Sequence, residues 1–369
     1  MSKISTTAAM IDSYTNTAIK NYVKSHDEST YFPKEMWDEL TNEMDIFLPI
    51  LSEENHTLSS DFITFIRKIA NEFAALSAIL LTQGCYGIYS ILNFGTAEQK
   101  ELYLEKLLKG QYIAGLGFCE YKHLKGLEDL ETYATKTEQG WCLSGKKAMI
   151  SNSSVADILL VLAKVKEQGK MEKYGLFIVD PKDSDVLIGE QIEKPGLIGL
   201  PLSSVTLKNV LLPENALLGD ELAGDVQFAN IIKNMQLGLS AIALGVAEGA
   251  FNKGIEFAKV KRGFGKRLID VEIHQNKFAD LYNKLCSAEA YFASYPQIEE
   301  DAKFVSRIKL YTTKVAIEIS DEILRLIGPL QKFDKVNIKR YLKDAETIEN
   351  YGRSGNSIRR EIAERWLKE

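Results

Sequence analysis

The chain predicts an α+β fold in which an N-terminal helical domain (1–110), a central β-domain (111–221) and a C-terminal helical domain (222–369) follow one another. Three observations predict it. Apolar residues recur at helical spacing up to about Gly110, shorten to strand-like runs between Gln111 and Gly219, and return to helical spacing from about Val226. No internal repeat or low-complexity linker separates the three parts, so they are expected to pack into one body.

In the first part, Phe62, Phe65, Ile66, Ile69 and Phe73 mark one face of a helix, and Gly95-Thr96-Ala97-Glu98-Gln99 supplies a capped helix start. The most apolar stretch, 73–81, stops at Thr82. It falls short of the roughly 20 residues that a membrane span requires, and it predicts a buried core helix. Runs 112–118, 158–165 and 205–210, set between Gly-, Asp- and Pro-containing turns, predict strands. Beyond them, Ile242, Val246, Phe251 and Ile255, then Ile308, Thr312, Val315, Ile319 and Ile323, predict long helices.

With 369 residues, 45% hydrophobic and 26% charged, the chain has material for more than one core. A formal charge of -6 offers no basic surface for nucleic acid, and the first residues lack the apolar core of a signal peptide. The expected address is cytoplasmic, with no membrane or nucleic-acid partner. Cys85, Cys119, Cys142 and Cys286 are scattered without a Cys-x-x-Cys pair, and His26, His56, His123 and His274 are equally dispersed, so neither a disulfide frame nor a metal site is expected.

Four patterns then stand in order along the chain. They are Leu92-Asn93-Phe94-Gly95-Thr96-Ala97-Glu98-Gln99-Lys100 with Leu107-Leu108-Lys109-Gly110, and Gly145-Lys146-Lys147-Ala148-Met149-Ile150-Ser151-Asn152 before Val155-Ala156-Asp157. They continue with Lys261-Arg262-Gly263-Phe264-Gly265-Lys266 and Gln275, and with Lys343-Asp344-Ala345 leading to Tyr351-Gly352-Arg353-Ser354. Taken singly, each glycine could be a turn and Phe264 a core aromatic. Together, over nearly the whole chain, they resemble the acyl-CoA dehydrogenase family. The resemblance implies FAD as cofactor, an acyl thioester of coenzyme A or a carrier protein as substrate, and a homo- or hetero-oligomer, a dimer or tetramer, with cofactor sites shared between chains. Residue by residue it assigns cofactor contacts to Cys119, Met149, Ser151, Lys261, Phe264, Gln275, Gly328 and Ser354.

The chain departs from the family pattern where the chemistry is done. Removing an α-proton as hydride leaves the β-carbon calls for a carboxylate beside the thioester. The two positions at which the family places it are Gly352 and Met235 here, and the family arginine next to the second is Gln236. Glu349, three residues before Gly352 and on its face if that helix extends so far, is a candidate base, and its plain reading is a solvated carboxylate. Glu248, among Gly245, Val246, Ala247 and Gly249, is a second, with burial beside a partner as its plain reading. Around the expected pyrophosphate site Lys261 replaces an arginine, Glu272 a glutamine, Pro329 a glycine, and Arg325 adds a positive charge that would offset Glu272. Cys119, in place of a hydroxyl, is a poor donor. Three functions stay open: a flavin-dependent acyl thioester dehydrogenase, a non-catalytic subunit of a heteromeric dehydrogenase, and a flavin-dependent monooxygenase on the same fold.

Overall fold

The computed structural model describes residues 3–26, 29–51, 57–121, 126–166, 172–261, 265–295, 302–328, 337–364 and 366–367. Helices come first: α1 (Lys3–Tyr14), α2 (Lys20–His26), α3 (Lys34–Asp38), α4 (Ser60–Ala70), α5 (Ala74–Thr82), α6 (Ser90–Phe94) and α7 (Ala97–Leu108). Ser59 caps α4 by accepting from the Phe62 amide, and Thr96 and Gln99 close a reciprocal capping box at the start of α7. On α4 the buried residues include Phe62, Phe65, Ile66 and Ile69, the face that the period predicts.

The apolar helix does not stop at Thr82. It continues through a π-helical turn, Gln83–Tyr89, into α6, and the whole stretch Ala74–Phe94 is 21 residues long. By length and composition it could cross a membrane, yet 94% of its most apolar window is buried within the protein. The polar residue that breaks the apolar run is itself put to use inside. Gln83 donates to the carbonyls of Leu107 and Tyr112 at 2.9 and 2.8 Å and accepts from the Ala114 amide at 2.8 Å. A buried amide satisfied in this way ties the helical domain to the first strand.

Strands β1 (Ala114–Gly117), β2 (Tyr133–Thr137), β3 (Gly140–Ser151), β4 (Ile158–Val165), β5 (Lys173–Val179), β6 (Val186–Gln191) and β7 (Leu202–Pro213) form one seven-stranded sheet in the order β1-β4-β2-β3-β7-β6, with β5 paired to β4. Because side chains alternate across a strand, β4 serves two cores. Ile158, Leu160 and Leu162 join the large core shared with the helices, whereas Leu159, Val161, Ala163 and Val165 join Trp141, Phe177 and Val205 in a second core inside the β-domain. The continuous apolar run is therefore a strand buried on both faces.

The last part consists of α8 (Gly224–Lys259), α9 (Glu272–Ala293), α10 (Ala302–Ile327), α11 (Ile338–Asn350) and α12 (Gly355–Ala363). Close approach decides how α8 meets α4: a Cβ on Gly245 would stand 2.3 Å from the Arg67 carbonyl oxygen, and one on Gly249 2.1 Å from that of Asn71. Ile308, Thr312, Val315, Ile319 and Ile323 are all buried along α10. On α11, Asp344 accepts from the Leu197 amide at 2.6 Å, so the aspartate of the tail pattern fastens a β-domain loop to the C-terminal domain.

Candidate active site

The tail turn is the centre of the site. Helix α11 ends at Asn350, so it does not extend far enough to put Glu349 and Gly352 on one helical face. Gly352 lies beyond the helix with φ +73°, in the left-handed region. A Cβ built there would stand 2.8 Å from Leu239 Cδ1 and 3.6 Å from Met235 Cγ, with no other atom of the described residues within 4 Å apart from its chain neighbours. The two positions at which the resemblance would seek a carboxylate thus meet in space, and apolar side chains close the gap between them.

Beneath the turn, Lys309 of α10 is fully buried and donates to the carbonyls of Glu349 at 2.5 Å and Arg353 at 2.8 Å. These carbonyls lie where α11 runs out of intrahelical partners, and the ammonium satisfies them. Burial pushes the Lys309 ammonium down to about 7, with Glu349 opposing.

One residue before Gly352, the Tyr351 phenol donates to Ser151 Oγ at 2.7 Å and lies 2.8 Å from Thr82 Oγ1. A line of three hydroxyls thereby joins α5, the tail and the end of β3. Burial raises the Tyr351 phenol to about 12, so it stays protonated at neutral pH. Beside it is Tyr86, buried in the π-helical turn, whose hydroxyl has no hydrogen-bond partner among the described residues. The Cys119 thiol is pushed up to about 11 by burial and remains a weak donor.

Strand β3 carries the expected flavin-facing residues. Its pairing with β7 shifts register between Lys147 and Ile150, and Met149 stands 47% exposed beside the buried Ser151. Underneath, Glu120 accepts from Lys147 Nζ at 2.7 Å and from the amides of Glu131 and Thr132 at 2.7 and 3.1 Å. Burial works against that carboxylate, but the Lys147 charge and the hydrogen bonds hold it below the usual range. Glu120 is thus a buried anchor for the segment that carries Cys119.

The remaining expectations resolve individually. Glu349 pairs with Arg359 at 2.9 Å, and its Oε1 is 2.6 Å from where a Cβ on Gly355 would sit. Glu248 is half-exposed and pairs with Arg67 at 3.3 Å, which also pairs with Glu289. Neither carboxylate adjoins the built Cβ of Gly352. Glu272 opens α9, where a helix N-terminus favours an acidic residue, and Arg325 pairs with Asp321 at 2.7 Å. Lys261 and Gln275 are exposed, Gln275 donating to the Ile269 carbonyl at 2.9 Å. Gly328 ends α10 with φ +52°, and Ser354 caps α12 by accepting from the Ser357 amide. Phe264 and Pro329 lie outside the described residues.

An isoalloxazine ring suits the inner half of this arrangement. Met149 offers an exposed, polarizable cover. Ser151 accepts from Tyr351 but, among the described residues, donates to no protein group, which leaves its proton for a ligand acceptor. Cys119 contributes little as a donor. Among the described residues no three His, Cys, Asp or Glu side chains converge as a metal site, and the four cysteines form no disulfide.

Sequence reasoning missed Thr82, Tyr86, Lys309 and the role of Tyr351. Tyr351 was visible as the neighbour of Gly352, but its partners are distant in sequence. Lys309 carried a faint signal, a lysine between Ile308 and Thr312 on the apolar face of a helix.

Comparison with known proteins matches the chain to three domain models: acyl-CoA dehydrogenase N-terminal domain over residues 4–111, middle domain over 115–210 and C-terminal domain over 226–367. A 3-(aryl)acrylate reductase from Clostridium sporogenes is 26% identical over 311 residues, covering 83% of this chain and 82% of that protein. Among solved structures, butyryl-CoA dehydrogenase from Megasphaera elsdenii superposes with a TM-score of 0.89 at 22% identity, covering 100% of this chain and 98% of the other. The prolyl acyl carrier protein oxidase AnaB superposes with a TM-score of 0.86 at 20% identity, covering 99% and 98%. At these identities the superpositions speak for the fold.

Proposed function

The chain belongs to the acyl-CoA dehydrogenase family, and from that premise we propose that it is an FAD-dependent oxidoreductase acting on an acyl thioester of coenzyme A or of a carrier protein. Both kinds of carrier occur in the names of the similar structures. The observation that carries the reading is the line of the buried Thr82 and Ser151 joined by the partly buried Tyr351, which ends on the strand that presents Met149. It fixes the hydroxyl of Ser151, the residue that the family resemblance assigns to the flavin.

FAD, when bound, supplies the two-electron acceptor. The chain's own groups have simpler duties. Tyr351 fixes the rotamer of Ser151; Met149 would cover the ring, and the Ser151 hydroxyl would donate to the bound ligand. Met235 and Leu239 close the wall at Gly352 against water. With no carboxylate at that wall, the site suits acyl groups whose α-proton is already acidified by an electron-withdrawing neighbour. Residence in the cytoplasm and assembly of two or four chains around shared cofactor sites belong to the same reading.

The test is the visible spectrum of the protein reconstituted with FAD, followed by anaerobic titration with acyl-CoA and acyl-carrier-protein thioesters. Stoichiometric flavin and bleaching by a thioester are expected. Flavin that binds but is not bleached by either class would sink the oxidoreductase reading and leave a binding-only subunit.

A further inference from the structure

Tyr86 is a large polar side chain, 1% exposed, whose hydroxyl has no hydrogen-bond partner among the described residues. Leaving a buried hydroxyl unsatisfied costs roughly 1–3 kcal/mol, and a phenylalanine of the same shape would not incur that cost. Its placement is specific. Tyr86 lies in the π-helical turn Gln83–Tyr89, a type of irregularity that often marks functional sites, and four residues after Thr82. Residues four apart share a helix face, and Thr82 is hydrogen-bonded to Tyr351 at 2.8 Å. Burial pushes the Tyr86 phenol up, and its neighbours Tyr351, Cys85 and Cys119 add to the shift. Cys85 is already engaged, its thiol donating to the Ile231 carbonyl at 3.2 Å.

We propose that Tyr86 is a specificity residue whose hydroxyl donates to a neutral oxygen, a hydroxyl or carbonyl, on the acyl chain of the bound thioester. The inference rests on the thioester reading above and deepens it. A neutral acceptor is required because none of the neighbours just named is a cation: a carboxylate placed among tyrosines and high-pKa thiols would be buried without compensation. A plain alkyl chain would leave the phenol as unpaired as it is without ligand. An oxygen substituent near the thioester would also acidify the α-proton, which a site without a carboxylate at Gly352 and Met235 needs.

The experiment measures binding by calorimetry, on the FAD-reconstituted protein and its Y86F variant, of 3-hydroxybutyryl- and butyryl-phosphopantetheine, the thioester arm that both carriers share. The wild-type protein is expected to bind the hydroxylated thioester about tenfold more tightly than the unsubstituted one, the worth of one satisfied hydrogen bond. In Y86F that preference should vanish while affinity for the butyryl thioester and the melting temperature hold or rise. Equal binding of the two thioesters by the wild type, or a preference that survives in Y86F, overturns the role of Tyr86 alone. Failure of both thioesters to bind the flavin-loaded wild type overturns the thioester reading and this inference together.

Discussion

The Tyr351 phenol donates a 2.7 Å hydrogen bond to Ser151 Oγ across a separation of 200 residues. It joins the turn that carries Gly352 to the strand that carries Met149, so the helical tail and the β-domain are fixed to one another at the site itself.

Tyr351→Phe removes that donor and strips a partner from Ser151 and from Thr82, both buried. Equilibrium unfolding in urea should show a loss of about 1–3 kcal/mol. FAD affinity, followed by fluorescence of the free flavin, should weaken as well, because Ser151 loses the group that orients it. Unchanged affinity alongside lower stability would show that the bond holds the tail without serving the ligand.

Gly352→Glu should not create a working base. Its Cβ would enter a left-handed turn and stand 2.8 Å from Leu239 Cδ1, a combination worth roughly 1–3 kcal/mol of destabilisation. Adding Leu239→Ala should recover part of that loss non-additively, because the two sites touch. A double-mutant cycle measures the coupling, and strict additivity would contradict the contact.

Glu349→Gln should leave the rate of flavin bleaching by thioester within a few-fold of wild type, since this carboxylate is paired with Arg359. A pair so exposed at the Arg359 end is worth less than about 1 kcal/mol. A loss of bleaching by orders of magnitude would return Glu349 to the role of base.

Lys309 predicts a pH dependence whose sign is definite. Its folded value of about 7 lies below the ordinary lysine value, so the unfolded chain binds more protons between the two, and stability contributed by this site rises with pH across that window. Below the folded value the full penalty of the buried charge applies. Thermal melts from pH 7 to 10 should therefore show wild type gaining on Lys309→Met as pH rises. Parallel pH profiles would refute a depressed lysine.

Much of the scaffold was legible before any coordinates. The capping box at Thr96 and Gln99 is a local matter of side chain and backbone, and the doubly buried strand β4 announces itself as an apolar run. The end of the apolar helix was misread because Gln83, polar in sequence, is satisfied by the carbonyls of Leu107 and Tyr112. Whether α11 reaches Gly352 was left open in the sequence for a related reason: the carbonyl of Glu349 at its end and that of Arg353 beyond it accept from Lys309, and that lysine comes from another helix.

By itself the sequence determined the order of helical, sheet and helical domains, the family pattern, and the absence of a carboxylate at Gly352 and Met235. These follow from periodicity and residue identity, which are local. Only the tertiary structure decided that the two positions adjoin and are closed by Leu239, that Glu349 and Glu248 are held by arginines, and that the hydroxyls of Thr82, Tyr351 and Ser151 meet while that of Tyr86 has no partner among the described residues. The reason is physical. Whether a polar group is satisfied or poised for a ligand depends on partners that folding brings from distant parts of the chain.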